Sequence, residues 1–245
     1  MSVEAIGELR EPVRRAVYEY AVSQDEPVGR DEVASACGIG RTLAAFHLDR
    51  LATAGLLDVS FGRRSGRTGP GAGRPAKLYR RSATDHEVSL PPRRYLAVAE
   101  LLAETVERAA ADEKLFAVAR DRGRSAGLAA AALREGDADR AGSDAAAGIV
   151  EVLAGQGYEP QRRDDSIVLR NCPFHALARD YPPLVCGMNL ALLEGLLDGL
   201  SASRGADLGE RSSDGLGGSP AVPRIAPTGT NCCVVIDLAS KNNHD

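Results

Sequence analysis

The sequence from residue 28 to residue 57 reads VGRDEVASACGIGRTLAAFHLDRLATAGLL. Its apolar residues recur at helical spacing on both sides of a short segment that contains Gly38 and Gly40. Asp31 and Glu32 stand in the first turn of the first helical stretch, where acidic side chains interact favourably with the helix dipole. Gly38 is typical of a helix C-terminus. The stretch therefore predicts two short helices, at residues 30–37 and 41–54, joined by a tight turn.

A basic hairpin is predicted directly after these helices. Residues 56–61 and 76–81 have strand character, and residues 62–73 between them are rich in Gly and Arg. The segment from residue 63 to residue 81 contains no acidic residue and seven basic ones: Arg63, Arg64, Arg67, Arg74, Lys77, Arg80 and Arg81. Such a patch attracts polyanions. Two short helices followed by a basic hairpin predict a winged helix-turn-helix and DNA as its partner.

The second helix would lie in the major groove of DNA, with its first residues at the base edges. Helical spacing turns Ala44, Leu48 and Leu51 to the core, so Arg41, Thr42, Ala45 and Phe46 are expected to face outward and reach bases. His47 and Arg50 lie at the flank, where they contact phosphate or bond within the domain. Arg63, Arg64, Arg67, Arg74 and Lys77 of the hairpin are expected at the phosphates. The alternative is a small helical domain with a solvated basic loop.

The remainder of the chain predicts a helical segment and then a mixed domain. Helices are expected at residues 8–23, 94–110, 112–134, 144–156 and 184–201, and strands at 158–162, 166–170 and 234–238. Residues 203–229, rich in Gly, Ser and Pro, are expected to be a loop. The predicted fold class is α+β, with a DNA-binding domain at 1–85, connector and dimerisation helices at 86–142, and an α/β sensor domain at 143–245.

Four of the five cysteines lie in that last domain. Cys172 and Cys186 bracket a short segment, and Cys232 and Cys233 follow much later. Thiolates bind iron–sulfur clusters, and zinc accepts the same thiolates together with a histidine such as His175. Neighbouring residues on a strand point to opposite faces, which favours Cys233 over Cys232 as a ligand. A reversible disulfide or plain core cysteines are the alternatives, and Cys37 is expected to be a small buried hydrophobe.

The residues resemble a known family at several places. Residues 40–51, 54–57 and 73–80 are similar to the bacterial ArsR-like winged-helix regulators, in particular to the subgroup that includes the iron–sulfur-assembly repressor SufR. This resemblance implies a homodimeric transcriptional regulator that binds an inverted-repeat operator. It also implies a [4Fe-4S] cluster held by Cys172 of a Cys-Pro-Phe motif, by Cys186 and by one of Cys232 and Cys233, with His175 as a possible fourth ligand.

Composition narrows the remaining classes of function. No glycine-rich phosphate loop, GxSxG or HExxH motif occurs, and the four histidines are scattered, so an enzyme is not expected. The chain does not open with a basic segment followed by an apolar one, and no long apolar run is evident. We therefore expect a cytoplasmic protein with reduced thiols and no membrane partner. A regulator that answers to a small organic effector, to zinc or to a thiol switch is the alternative to cluster sensing.

Overall fold

The computed structural model describes residues 2–62, 75–135, 144–206, 221–226 and 232–238 of the 245-residue chain. It divides the chain into two compact units, Met1–Arg93 and Arg94–Asp245. Each unit combines helices with a small antiparallel sheet, so the predicted α+β class is confirmed. The helices expected to form a separate connector at residues 86–142 belong largely to the second unit, because α6 (Asp112–Glu135) packs along α9 (Pro182–Ala206).

The first unit contains four helices and three strands in its described part. They are α1 (Ser2–Glu8), α2 (Pro12–Ser23), β1 (Val28–Gly29), α3 (Arg30–Cys37), α4 (Arg41–Thr53), β2 (Leu57–Gly62) and β3 (Ala76–Arg81). The strands form an antiparallel sheet in the order β1-β3-β2. The core consists of side chains from all four helices and from the sheet, among them Val17, Val28, Val33, Leu48 and Leu51. The described residues 28–62 and 75–81 therefore form the two helices and the two strands that the pattern predicts there, within one residue at each end.

The turn between α3 and α4 has a simple local cause. Gly38 has φ 65°, in the left-handed region, and its N–H bonds the carbonyl of Ala34. Glycine adopts this conformation without a side-chain penalty, so it ends α3 and redirects the chain into α4. The helix predicted at residues 8–23 begins at Pro12 instead, and a separate helix, α1, which was not predicted, ends at Glu8. Glu11 caps α2 by accepting bonds from the N–H groups of Val13 (3.0 Å) and Arg14 (2.6 Å), which starts a new helix there.

The second unit surrounds another antiparallel sheet. Besides α6 and α9 it contains α5 (Tyr95–Arg108), α7 (Ala145–Gly155), β4 (Pro160–Arg162), β5 (Ser166–Leu169), α8 (His175–Ala178), β6 (Ala221–Ile225) and β7 (Val234–Leu238). The strand order is β4-β5-β7-β6. One face of α9 packs on the sheet around Leu153, Ile167, Leu193, Leu197 and Ile236. The strand β6 corrects the prediction of a loop at residues 203–229, because residues 221–225 pair along β7.

Glycines bring α6 and α9 together. A Cβ at Gly123 would lie 2.0 Å from the carbonyl oxygen of Leu192, and one at Gly195 would lie 2.0 Å from that of Arg120. Gly127 and Gly199 make similarly close approaches one turn further along both helices, so the two helices run parallel. This contact, between segments far apart in the chain, holds the second unit together along its length.

The helix α9 contains one stretch, Pro182–Ala202, that is long and apolar enough to cross a membrane by length and composition alone. The expectation that no such stretch exists is wrong in this respect. Half of that stretch is buried inside the second unit, against α6 and the sheet. A buried core helix has the same composition as a membrane span, so this stretch is weak evidence for a membrane.

Candidate functional sites

The first candidate site is a group of four cysteine thiols in the second unit. Cys172 lies between β5 and α8, Cys186 lies in the first turns of α9, and Cys232 and Cys233 immediately precede β7. Two backbone hydrogen bonds hold the segment that contains Cys232 and Cys233: the Cys232 N–H donates to the Leu169 carbonyl (2.9 Å), and the Cys233 carbonyl accepts from the Ala226 N–H (2.7 Å). The sheet pairing of β7 with β5 thus carries the last two cysteines to the loop that contains Cys172.

The thiols face one another in a row. The Cys232 sulfur interacts with the thiols of both Cys172 and Cys233, and the Cys233 thiol interacts with that of Cys186. Cys232 is buried, and the other three thiols are partly buried. Hydrogen bonding to Cys232 and burial raise the pKa of Cys172 well above its ordinary value. The bond from Cys172, with further donors to its sulfur, lowers the pKa of Cys232 to about 6 even though burial acts in the opposite direction.

Both members of the Cys232–Cys233 pair belong to this group, whereas the expectation that Cys233 rather than Cys232 is a metal ligand stays a prediction. That expectation assumed a regular strand with alternating faces. Here β7 begins at Val234, and the two cysteines lie in the bend before it, where the alternation does not apply. The Cys233 pKa is raised, by burial first and by its bond to Cys186 second. All four thiols therefore belong to one connected group in the second unit.

A buried polar pair supports the thiols. Asn189 is fully buried on α9, one turn after Cys186, and its Nδ2 donates to the Cys232 sulfur at 3.4 Å. Its Oδ1 accepts a hydrogen bond from the hydroxyl of Tyr158. Burial raises the pKa of Tyr158, so this hydroxyl stays protonated and remains a donor. Sequence reasoning did not identify Asn189 or Tyr158; an asparagine within the leucine-rich apolar run of α9 is the signal that could have done so.

The donor set fits a thiophilic metal or cluster in its chemistry, since soft thiolates bind zinc and iron–sulfur clusters. In the described residues, no set of three or more His, Cys, Asp or Glu side chains already stands at metal-ligand spacing. Metal binding would therefore require the thiols to move from their present positions. His175 is exposed at the start of α8, where its N–H donates to the Cys172 carbonyl (3.0 Å) and its carbonyl accepts from the Arg179 N–H (3.2 Å). Cys37 is partly buried in the other unit, packed against the core.

The second candidate site is the exposed face of α4 in the first unit. Ala44, Leu48 and Leu51 are buried as predicted. Arg41, Thr42 and Phe46 are exposed and Ala45 is half-buried, so the four residues expected at base edges share the outer side of the helix. Phe46 is 53% exposed, although a phenylalanine ring usually lies inside a fold. Leu43 is exposed beside it, at a position that was not expected from the sequence.

His47 does not belong to this surface, which decides between its two predicted roles. Its side chain is buried, and its Nδ1 accepts a hydrogen bond from Arg14 Nε at 3.4 Å. Burial lowers the pKa of His47, while the Glu11 carboxylate at 3.7 Å opposes that shift. Its bonding therefore lies within the first unit, between α2 and α4. Arg50 pairs with Glu8 of α1, which holds it at the flank of α4.

The hairpin is connected to α4 through its described residues. Lys77 of β3 pairs with Asp49 of α4 and lies 5.2 Å from the centre of the Tyr79 ring. The Tyr79 hydroxyl donates to the same Asp49 carboxylate at 2.8 Å. Lys77 thus has a partner inside the protein as well as an exposed position. Arg63, Arg64, Arg67 and Arg74, the other residues expected at phosphates, lie outside the described residues.

Comparisons with known proteins do not assign the chain: no family model, no curated protein and no solved structure matches it.

Proposed function

We propose that the chain is a DNA-binding transcriptional regulator of the winged helix-turn-helix type, and that the thiol group of its second unit binds an iron–sulfur cluster. One observation carries the proposal that the chain binds DNA. α4 follows α3 across a short turn that begins at the left-handed Gly38, precedes the antiparallel strands β2 and β3, and presents Arg41, Thr42 and Phe46 to solvent. Such a helix fits the major groove, which accommodates one α-helix.

The chemistry of these side chains suits base recognition. An arginine pairs with the O6 and N7 acceptors of guanine, threonine bonds to several bases, and an apolar ring contacts a thymine methyl. Arg41 Nε is paired with the exposed Asp31 carboxylate at 2.6 Å. That exposed pair is weak, because both groups are solvated. DNA can therefore take the place of Asp31 at little cost.

Homodimerisation is part of the proposal, through α5. Tyr95, Val98, Leu101 and Leu102 form an exposed apolar stripe at helical spacing on this helix. Arg94 stands at its first end and Glu107 near its last, while Glu104 is paired with Arg108 of the same helix, so two copies in antiparallel contact would bring Arg94 of each near Glu107 of the other. A homodimer carries two α4 helices, and we expect it to bind an inverted-repeat operator whose half-sites lie about 34 Å apart.

The thiol group can influence that dimer through contacts within the second unit. The segment that begins at Cys172 leads directly into α8, and α8 packs on α5. Carboxylates of α5 also lie close to Tyr181, the residue before α9. A cluster held by Cys172, Cys186 and the Cys232–Cys233 pair would supply an oxidation-labile group whose loss frees these segments. The expected consequence is a change in operator affinity.

The proposed site of action is the cytoplasm, where DNA and reducing conditions coexist. No enzymatic step is proposed. A thiol switch is the nearest second candidate, and the contact between the Cys172 and Cys232 thiols favours it over an organic effector. Absorbance near 400 nm and an iron and sulfide assay on protein purified without oxygen separate the two, because cluster thiolate ligation colours the protein and a dithiol does not.

The test of the DNA-binding half is selection of duplex DNA from a random pool by the full chain, followed by mobility-shift titration of the selected site. Arg41→Ala is expected to weaken specific binding by about 1–3 kcal/mol and to relax the sequence preference at one position. Arg10→Ala removes an exposed arginine from the same unit and serves as the matched control. If no duplex is enriched, in either the reconstituted or the metal-free state, the proposed function is wrong.

A further inference from the structure

Cys232 is the most deeply buried of the four cysteines in the second unit. Its side chain is buried, and its backbone N–H is bonded to the Leu169 carbonyl at the end of β5. The β7 strand that follows is paired with β5 on one side and with β6 on the other. The sulfur therefore occupies a position set by the sheet, between the thiols of Cys172 and Cys233.

Asn189 adds an observation that does not depend on the thiols alone. It is the fully buried polar side chain of the described second unit, and burial of an amide costs free energy unless its groups are hydrogen-bonded. Its Oδ1 is taken by the Tyr158 hydroxyl, which leaves Nδ2 to donate to the Cys232 sulfur. An N–H donor to sulfur stabilises a ligating thiolate and orients it, which is the usual function of residues around a metal site.

We infer that the metal site is complete within the chain: Cys232 and Cys233 both ligate, beside Cys172 and Cys186, and Asn189 orients Cys232 as a positioning residue. The inference rests on the proposed metal-binding function and deepens it. Four thiolates satisfy zinc, and also a [4Fe-4S] cluster, with no ligand from solvent or from a second molecule. His175 then has no place among the ligands.

The experiment is X-ray absorption at the zinc edge of the full chain loaded with Zn²⁺ alone. Four sulfur ligands at about 2.3 Å are expected. Cys232→Ser and Cys233→Ser should each reduce the count to three sulfurs and one oxygen. Cys37→Ser, in the first unit, is the matched control and should leave all four.

The positioning role of Asn189 has its own readout. Asn189→Leu removes the donor at similar volume and is expected to lower zinc affinity by about 10–100-fold, measured by competition with a chelating dye. Because Asn189→Leu can disturb the core, Tyr158→Phe provides a gentler change that deletes only the hydroxyl. It should lower zinc affinity in the same direction by a smaller factor. Wild-type affinity in both variants would overturn this role.

The outcomes distinguish a failure of the four-thiolate inference from a failure of the proposed metal-binding function. A chain that retains neither zinc nor, after anaerobic reconstitution, iron overturns the proposed metal-binding function together with the inference. A zinc with three sulfur ligands and one nitrogen or oxygen ligand overturns the four-thiolate site and leaves metal binding standing. Four sulfur ligands to zinc in the wild type, and three in each of Cys232→Ser and Cys233→Ser, establish the four-thiolate site.

Discussion

The two units position their candidate functional residues in opposite ways. The first unit exposes Arg41, Thr42 and Phe46 on the outer side of a single helix, while the buried His47 on the same helix serves its own fold. The second unit brings its thiols and the Asn189 amide together, from segments far apart in sequence, at the edge of its core. A surface for a large partner can be built from one local element. A site for a small ligand requires several elements to converge, so it depends on the whole unit being folded.

The largest expected effect tests whether the units are stabilised separately. Leu48 is fully buried in the core of the first unit, and Leu48→Ala should cost about 2–5 kcal/mol through lost burial and the cavity left behind. Leu193→Ala is the matched change in the second core. Hydrogen exchange should show lost protection only in the unit that carries the substitution. Equal loss in both units for either variant would contradict two separate cores.

The next effect concerns the glycine contact between α6 and α9. A Cβ at Gly195 would meet the Arg120 carbonyl oxygen at 2.0 Å, so Gly195→Ala should destabilise the second unit by about 1–3 kcal/mol. A Cβ added at Gly155, the last residue of α7, would meet nothing within 4 Å, so Gly155→Ala should not destabilise. Urea denaturation of the two variants makes the comparison. Similar midpoints would show that the helices are not in the close contact described.

A smaller effect is expected from the apolar stripe of α5. Leu102 is 61% exposed, so Leu102→Glu should leave the fold intact and weaken the proposed dimer at least about tenfold, or 1.4 kcal/mol. Leu133, which is 79% exposed on α6, provides the matched control Leu133→Glu. Analytical ultracentrifugation over a concentration series measures both. An unchanged dimer in Leu102→Glu, or a monomeric wild type, would rule out pairing through this stripe.

The smallest effect is a pH dependence confined to the first unit. Burial holds the pKa of His47 below its ordinary value, with Glu11 opposing and Arg14 reinforcing the shift. The unfolded chain therefore binds more protons than the folded one between the two pKa values, and the stability contributed by neutral His47 is complete above about pH 6.5. It should be lost progressively as the pH falls below that value.

Urea titrations of the wild type and of His47→Gln at several pH values measure this contribution. The difference in stability between the two proteins should shrink as the pH falls from 7 towards 5, because only the wild type carries the histidine. A difference that stays constant across that range would show that His47 is not held neutral by burial.

Local pattern was sufficient for several elements of the first unit. The bounds of α3 and β3 were predicted to the residue, because apolar periodicity and the left-handed Gly38 act over only a few neighbours. The inward face of α4 followed from the same periodicity. The burial of His47 did not, since it depends on Arg14 and Glu11 of another helix.

The sequence by itself determined which residues of the second unit can bind a metal, because thiol chemistry is a property of single side chains. Only the tertiary structure decided that four of them meet. The bend before β7, the pairing of β7 with β5 and the burial of Asn189 on α9 each depend on contacts between segments distant in the chain. The spacing of residues along the chain does not predict such contacts. The entropy cost of closing a loop rises only slowly with its length, so a long loop does not determine which residues meet. The strand β6 was missed for a different reason: it lies at the end of a stretch rich in Gly, Ser and Pro and itself contains Pro223, a residue that is uncommon within strands.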